Sequence, residues 1–118
     1  LLKASDAGRA IFTSSGLAQR PLAYWGAYCT SKAALEMMVK VYAAETEITK
    51  IRANLVDPGL VDTAMLKEAF PGGYHGPFAV RKPEDVVPVY LELASPSCTR
   101  HGTVVSASES LKLAANTR

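Results

Sequence analysis

The sequence predicts an α/β fold, a parallel sheet with flanking helices. Two short runs have strand character, Ala10-Ile11-Phe12-Thr13 and Arg52-Ala53-Asn54-Leu55-Val56-Asp57, and the proline-free stretch from about Gly26 to Glu47 between them has helical spacing. Breakers follow each run directly, Ser14-Ser15-Gly16 and Pro58-Gly59. Strand, long helix, strand is a βαβ unit, whose crossover should be right-handed.

Taken in order, Leu1-Leu2-Lys3-Ala4 reads as the last turn of a helix, which Gly8 can end by turning left-handed. The first strand is apolar, β-branched and aromatic, as suits a buried parallel strand, and Pro21 keeps the next stretch irregular. In the long helix Ala33, Ala34, Leu35, Met37, Met38, Val41, Ala44 and Ile48 recur at helical spacing. Leu35, Met37 and Val39 lie away from the face of Met38, Val41 and Tyr42, so burial on two sides is expected. Ala64 to Phe70 is a candidate short helix, and Pro71-Gly72-Gly73-Tyr74-His75-Gly76-Pro77 a breaker-rich loop suited to a lid. Pro83-Glu84-Asp85 opens a further helix to about Ala94, with proline and acids where the first turn favours them, though Pro88 weakens it near its start. Thr103-Val104-Val105 is a last short strand, and Ser106 to Arg118 carries no pattern strong enough to assign.

Hydrophobic residues at 48% and charged residues at 20% are those of a chain that packs a core. The net charge of +2 comes from 13 basic and 11 acidic residues that are interspersed, so neither nucleic acid nor a membrane surface is an expected partner. No apolar run approaches the about 20 residues of a membrane helix. Cys29 and Cys98 have no metal-ligand spacing around them, which favours a reducing cytoplasm over a disulfide framework. The start at Leu1, inside an apolar segment and without methionine, is expected of a fragment. His75 and His101 have no carboxylate or cysteine at a telling spacing and are expected to be solvent-exposed loop residues.

The chemistry lies in Tyr28 and Lys32, four apart and therefore on one face of the long helix. A neighbouring ammonium favours a phenolate, which fits a phenol to exchange a proton with an alcohol or carbonyl oxygen. With five tyrosines in the chain, such a pair arises by chance in roughly one chain of four, so it is weak evidence alone. Ser15 strengthens it, because it ends the preceding strand, and ligands of open α/β sheets bind at the carboxyl edge. A hydroxyl there can hold the oxygen that Tyr28 protonates, although a lone serine is more often a turn residue bonding its own backbone. Pro58-Gly59-Leu60-Val61-Asp62-Thr63 returns to the same edge, where Gly59 lets backbone approach a flat ligand and Thr63 can hydrogen-bond an amide.

These residues, with Tyr28-Cys29-Thr30-Ser31-Lys32-Ala33-Ala34-Leu35 and Ile51 to Thr63, resemble the single-domain branch of the short-chain dehydrogenase/reductases, from roughly Gly8 to Val105. The resemblance implies a Rossmann-like sheet of which residues 1–118 are the C-terminal, catalytic half of one domain. It implies an NAD- or NADP-dependent oxidoreductase that moves hydride between nicotinamide and a small carbonyl or alcohol substrate. Tyr28 would be the acid/base, Ser15 would orient the substrate oxygen, and Lys32 would favour the phenolate and bind the nicotinamide ribose. Pro58, Gly59, Val61 and Thr63 would line the nicotinamide pocket, Ala64 to Val80 would form the substrate loop, and the Gly26 to Glu47 helix would join a homo-oligomer. Two departures stand out: the family's Gly-rich loop and Asn-Ala-Gly turn do not occur here, and Arg100-His101-Gly102 and Ala107-Ser108-Glu109 replace its usual glycine signals around the last strand. The 118 residues alone are therefore expected to be inactive. A nucleotide-sugar epimerase also uses tyrosine and lysine, but the Pro58 to Thr63 run favours the reductase. The alternative of another class is a truncated or split chain that acts only by pairing with a partner.

Overall fold

A strand covered on both faces needs consecutive buried residues, and Ala53, Asn54, Leu55 and Val56 are all sealed from solvent. They belong to strand β2, Arg52–Asp57, the middle strand of a parallel sheet in a computed structural model that describes residues 1–109. Strand β1, Arg9–Thr13, pairs with it from Arg9 opposite Arg52 to Thr13 opposite Val56. Helix α1, Gly26–Glu45, makes the crossover between them and ends two residues short of the expected boundary.

Beyond β2, a two-residue strand β3, Leu60–Val61, pairs in parallel with β4, Val80–Arg81, and so clamps the base of the excursion between them. That excursion carries the short helix α2, Ala64–Ala69. Helix α3 occupies Pro83–Ala94, with Pro83 at its first position and the Asp85 carboxylate accepting from Lys82 N at 3.0 Å. The helix runs through Pro88, whose side is exposed, so the carbonyl it leaves without a partner faces water and not the core. Strand β5, Val104–Ser106, pairs with β2 through Leu55–Val104, Val56–Val105 and Asp57–Ser106, and residues 107–109 are helical. Of the stretch left unassigned from Ser106 to Arg118, residues 110 to 118 lie outside the described residues. Near the start a 3-10 turn spans the three residues Leu2–Ala4, and Gly8 is not left-handed. Its reason is room, because a Cβ there would stand 2.8 Å from Leu2 O.

Alternation of side chains along β2 divides the core in two. Ala53 and Leu55 meet Val39 and Ala43 of α1 on one face, while Val56 and Val105 meet Val86, Val89 and Leu93 of α3 on the other. Each fully buried Val or Leu contributes about 1.5–3 kcal/mol. The buried face of α1 is Glu36, Val39 and Ala43, with Leu35 and Tyr42 partly covered. Within this chain the helix is covered on one side only, since Met37, Met38 and Val41 are 62%, 58% and 49% exposed. Val39 thus parts from Met37, and Tyr42 from Met38, where the sequence grouped them. No helix of the described residues is long and apolar enough to cross a membrane.

His75 is exposed, its Nε2 2.9 Å from Gly72 O. His101 corrects the expectation of an exposed loop residue, because its side chain is only 11% exposed and bridges two elements. Its Nδ1 accepts from Ala53 N at 3.0 Å and its Nε2 lies 2.8 Å from Ala43 O. The ladder to β5 reaches Ala53 only through its carbonyl, which accepts from Gly102 N at 2.7 Å. The imidazole therefore supplies the acceptor that the amide of a buried strand residue requires, with the ring proton on Nε2 for Ala43.

His101→Ala is expected to cost about 1–3 kcal/mol, the penalty of a buried amide left without an acceptor. Urea denaturation of the wild type and the variant measures it. An unchanged midpoint would mean that water replaces the ring without loss.

Candidate active site

Parallel strands send all their carboxyl ends to one rim, and a crossover helix starts from that rim. Ser14 N still bonds Val56 O at 2.7 Å, so Ser15 is the first residue beyond the β1 ladder. Its hydroxyl caps the 3-10 turn Gly16–Ala18 by accepting from Leu17 N at 3.2 Å. That turn packs against α1. The cap uses a lone pair, and among the described residues the Ser15 hydroxyl hydrogen has no acceptor, so it remains free to donate.

Tyr28 and Lys32 lie on the first turns of α1, one turn apart, both half-buried. The Lys32 ammonium stands 5.8 Å from the centroid of the Tyr28 ring and donates to Thr13 O at 2.9 Å. It therefore joins the acid/base candidate to the end of the strand that leads into Ser15. Among the described residues no hydrogen bond links Ser15 directly to Tyr28.

The turn after β2 meets the turn after β1. A Cβ on Gly16 would stand 3.1 Å from Asp57 Oδ2, so only glycine lets the two turns approach without a shift. Asp57 in turn accepts from Gly59 N at 3.0 Å, holding the Pro58-Gly59 bend closed. Gly59 has a φ of +70°, and a side chain there would also press to 3.1 Å from Arg81 Nη1. Its exposed backbone suits a flat ring lying close against it. Val61 packs against the core beneath α3, and the Thr63 hydroxyl caps α2, accepting from Leu66 N and donating to Val61 O, each at 3.3 Å. Pro58, Gly59, Val61 and Thr63 thus lead away from the rim that holds Ser15. The features there that could meet a flat ligand are the open backbone at Gly59 and the exposed Thr63 side chain.

Two sets of contacts lay beyond sequence reasoning. Trp25, next to the helix start, meets Tyr28 edge-on at 5.6 Å and stacks on Phe70 at 5.6 Å and 27°, and Phe70 meets Tyr74 at 5.2 Å. This row of rings ties the loop from 64 to 80 to Tyr28, and nothing in the local pattern of Trp25 pairs it with a ring 45 positions on. The second is made by Glu36, a carboxylate buried to 4% exposure one turn beyond Lys32. Its only signal in the sequence was the spacing Tyr28, Lys32, Glu36, Lys40.

A family model described as short chain dehydrogenase matches residues 1–72. An oxidoreductase of Escherichia coli K12, YciK, described as uncharacterized, is 43% identical over 93 residues, which make up 79% of this chain and 36% of that protein. A short-chain type dehydrogenase/reductase of Picea abies is 43% identical over 95 residues, 75% of this chain and 35% of that one. Among solved structures, a short chain dehydrogenase from Salmonella enterica serovar Typhi superposes with a TM-score of 0.81 at 40% identity, over 91% of this chain and 44% of that one. One from Shigella flexneri, complexed with NADP, gives 0.81 at 39% identity, over 92% and 44%. The chain spans about a third of the length of these curated relatives.

Phe70→Ala is expected to release the loop from the helix start, since an aromatic pair contributes about 0.5–1.5 kcal/mol beyond its buried area. Trp25 is the chain's one tryptophan, so a red shift of its emission and faster proteolysis between 64 and 80 report the release. Unchanged emission and cleavage would show that other contacts hold the loop.

Proposed function

The chain belongs to the short-chain dehydrogenase family, and on that premise we propose that it supplies the C-terminal catalytic half of an NAD- or NADP-dependent oxidoreductase acting on a small carbonyl or alcohol. The observation that carries the reading is Lys32, whose ammonium sits beside the Tyr28 ring while bonded to Thr13 O at the end of β1. One cation thereby serves the proton-transfer residue and the strand that presents Ser15. The NADP in the Shigella relative supports the choice of cofactor class.

In this reading the dinucleotide, when bound, supplies or accepts the hydride. Ser15 donates its free hydrogen to the substrate oxygen and fixes it at reacting distance. Tyr28 gives that oxygen a proton in reduction and takes one in oxidation, and the Lys32 ammonium stabilises the phenolate that results. Lys32 also holds the nicotinamide ribose, while Pro58, Gly59, Val61 and Thr63 border the nicotinamide ring. The row Trp25, Phe70 and Tyr74 walls the substrate side and keeps water from the reacting oxygen. The free thiols of Cys29 and Cys98 support a reducing compartment, the cytoplasm.

A second copy of the chain is the proposed cover for Met37, Met38 and Val41, because an apolar helix face left in water favours association. Val41→Lys is then expected to shift the sedimenting species toward monomer without unfolding it. A wild type that already sediments as a monomer would remove the homo-oligomer from the reading.

Tyr28→Phe in the complete enzyme should lower kcat about 10²–10⁴-fold, the usual contribution of a positioned acid/base. Dinucleotide affinity, measured by calorimetric titration, should stay near the wild-type value, since only the phenol oxygen is lost. A variant that keeps most of its kcat would take Tyr28 out of the mechanism.

A further inference from the structure

Glu36 is a charge-bearing side chain that the proposed chemistry does not use, and it is almost wholly buried. Burying a carboxylate is costly unless its oxygens are bonded, and here both are. Oε1 accepts from Ser14 Oγ at 2.6 Å, and Oε2 accepts from Gln19 Nε2 at 3.2 Å and lies 3.6 Å from Lys40 Nζ. Ser14 is itself buried, at 2% exposure. The two hydrogen-bond donors share one property: Ser14 directly precedes Ser15, and Gln19 directly follows the 3-10 turn that Ser15 caps. A single carboxylate therefore grips both ends of the segment that presents the Ser15 hydroxyl.

The carboxylate also belongs to the helix that carries Tyr28. Positions 28, 32 and 36 fall on successive turns of one face of α1, and Lys32 and Glu36 reach the adjacent residues Thr13 and Ser14. Register between Ser15 and Tyr28 is thus set through side chains of α1, since no hydrogen bond joins the two residues among the described ones. The geometry points to Glu36 as a positioning residue for the proposed reaction, which holds the Ser15 turn at a fixed place relative to the Tyr28 phenol. This rests on the reading of Ser15 and Tyr28 given above. Lys40, 43% exposed, offsets the charge at the solvent side and takes no part in gripping the turn.

A misplacement of about 1 Å at a reacting group can cost about 10²-fold in rate, so Glu36→Ala in the complete enzyme is expected to lower kcat by about that factor with dinucleotide affinity unchanged. Glu36→Gln keeps an acceptor for Ser14 and should restore most of the loss. Without any dinucleotide, hydrogen exchange at Ser14, Ala18 and Gln19, whose amides bond backbone carbonyls, should rise in Glu36→Ala and stay low in Ser15→Ala, where only Leu17 N loses its acceptor. Because the loss runs through Ser15, the double variant Ser15→Ala/Glu36→Ala should be no slower than Ser15→Ala alone. Losses that multiply in the double variant, or exchange that does not change, overturn the proposal. If Glu36→Ala does not fold, Ser14→Ala removes only the 2.6 Å bond and enters the same cycle with the same deciding outcomes. Full turnover in both Ser15→Ala and Tyr28→Phe would instead defeat the reading of the site, and the exchange measurement would still decide whether Glu36 holds the turn.

Discussion

Four successive residues of β2 without contact to water impose the arrangement of everything around them. Ala53 and Leu55 need a partner on one side of the sheet and Val56 on the other, so a helix must lie on each face. Among the described residues the long apolar helix that can reach the first face is the one between the strands, and a crossover between parallel strands brings its amino end to the carboxyl rim. Tyr28 and Lys32 are in its first two turns. Their position at the mouth of the sheet is thus a consequence of how β2 is buried and needs no separate stabilisation.

Burial alone leaves α1 free to slide or rotate by small amounts, because apolar contacts are not directional. Three polar contacts remove that freedom: Lys32 on Thr13 O, Glu36 on Ser14, and the His101 ring between Ala43 O and Ala53 N. The first two fasten the upper part of the helix to the end of β1, and the third fastens its lower part to the start of β2. Hydrogen bonds with fixed directions specify a register that hydrophobic packing does not.

Much of this was legible in the residues. The strands from 9 to 13 and 52 to 57 and the helices α1 and α3 came from apolar runs, breakers and proline at a helix start, all local signals. Ser15, Tyr28 and Lys32 were legible for the same reason, two of them one turn apart and the third at a strand end. What escaped depends on partners remote in the chain. Ser14 and Glu36 are 22 positions apart, and His101 and Ala43 are 58 apart. A glutamate four beyond a lysine looks like a solvated ion pair on a helix surface, and only the fold shows that its face is the inner one. The same ambiguity misled the grouping of Met37 with Val39 and of Met38 with Tyr42, because α1 is apolar around most of its circumference and periodicity then has no contrast to report. The pairing of β3 with β4 joins two residues to two, too short for any alternation to appear.

The buried carboxylate is best understood by what an apolar residue in its place would change. Buried ionic groups are often no more stable than hydrophobic replacements of similar volume, so stability gives a weak reason for Glu36. A methionine there would fill the space but leave the Ser14 hydroxyl and the Gln19 amide without partners, and the turn between them would keep its own backbone bonds and cap but lose its polar tie to α1. Glycine at position 16 has no side chain to anchor the turn, and a Cβ there would press on the Arg20 guanidinium at 2.7 Å and on Asp57 Oδ2 at 3.1 Å. The bonds within the turn fix its shape, whereas its place relative to Tyr28 draws on contacts from α1, those of Glu36 among them. Glu36 sits on the one element whose position relative to Tyr28 is fixed by the backbone, which makes a charged, doubly bonded residue there a device for order at the rim and not for strength in the core.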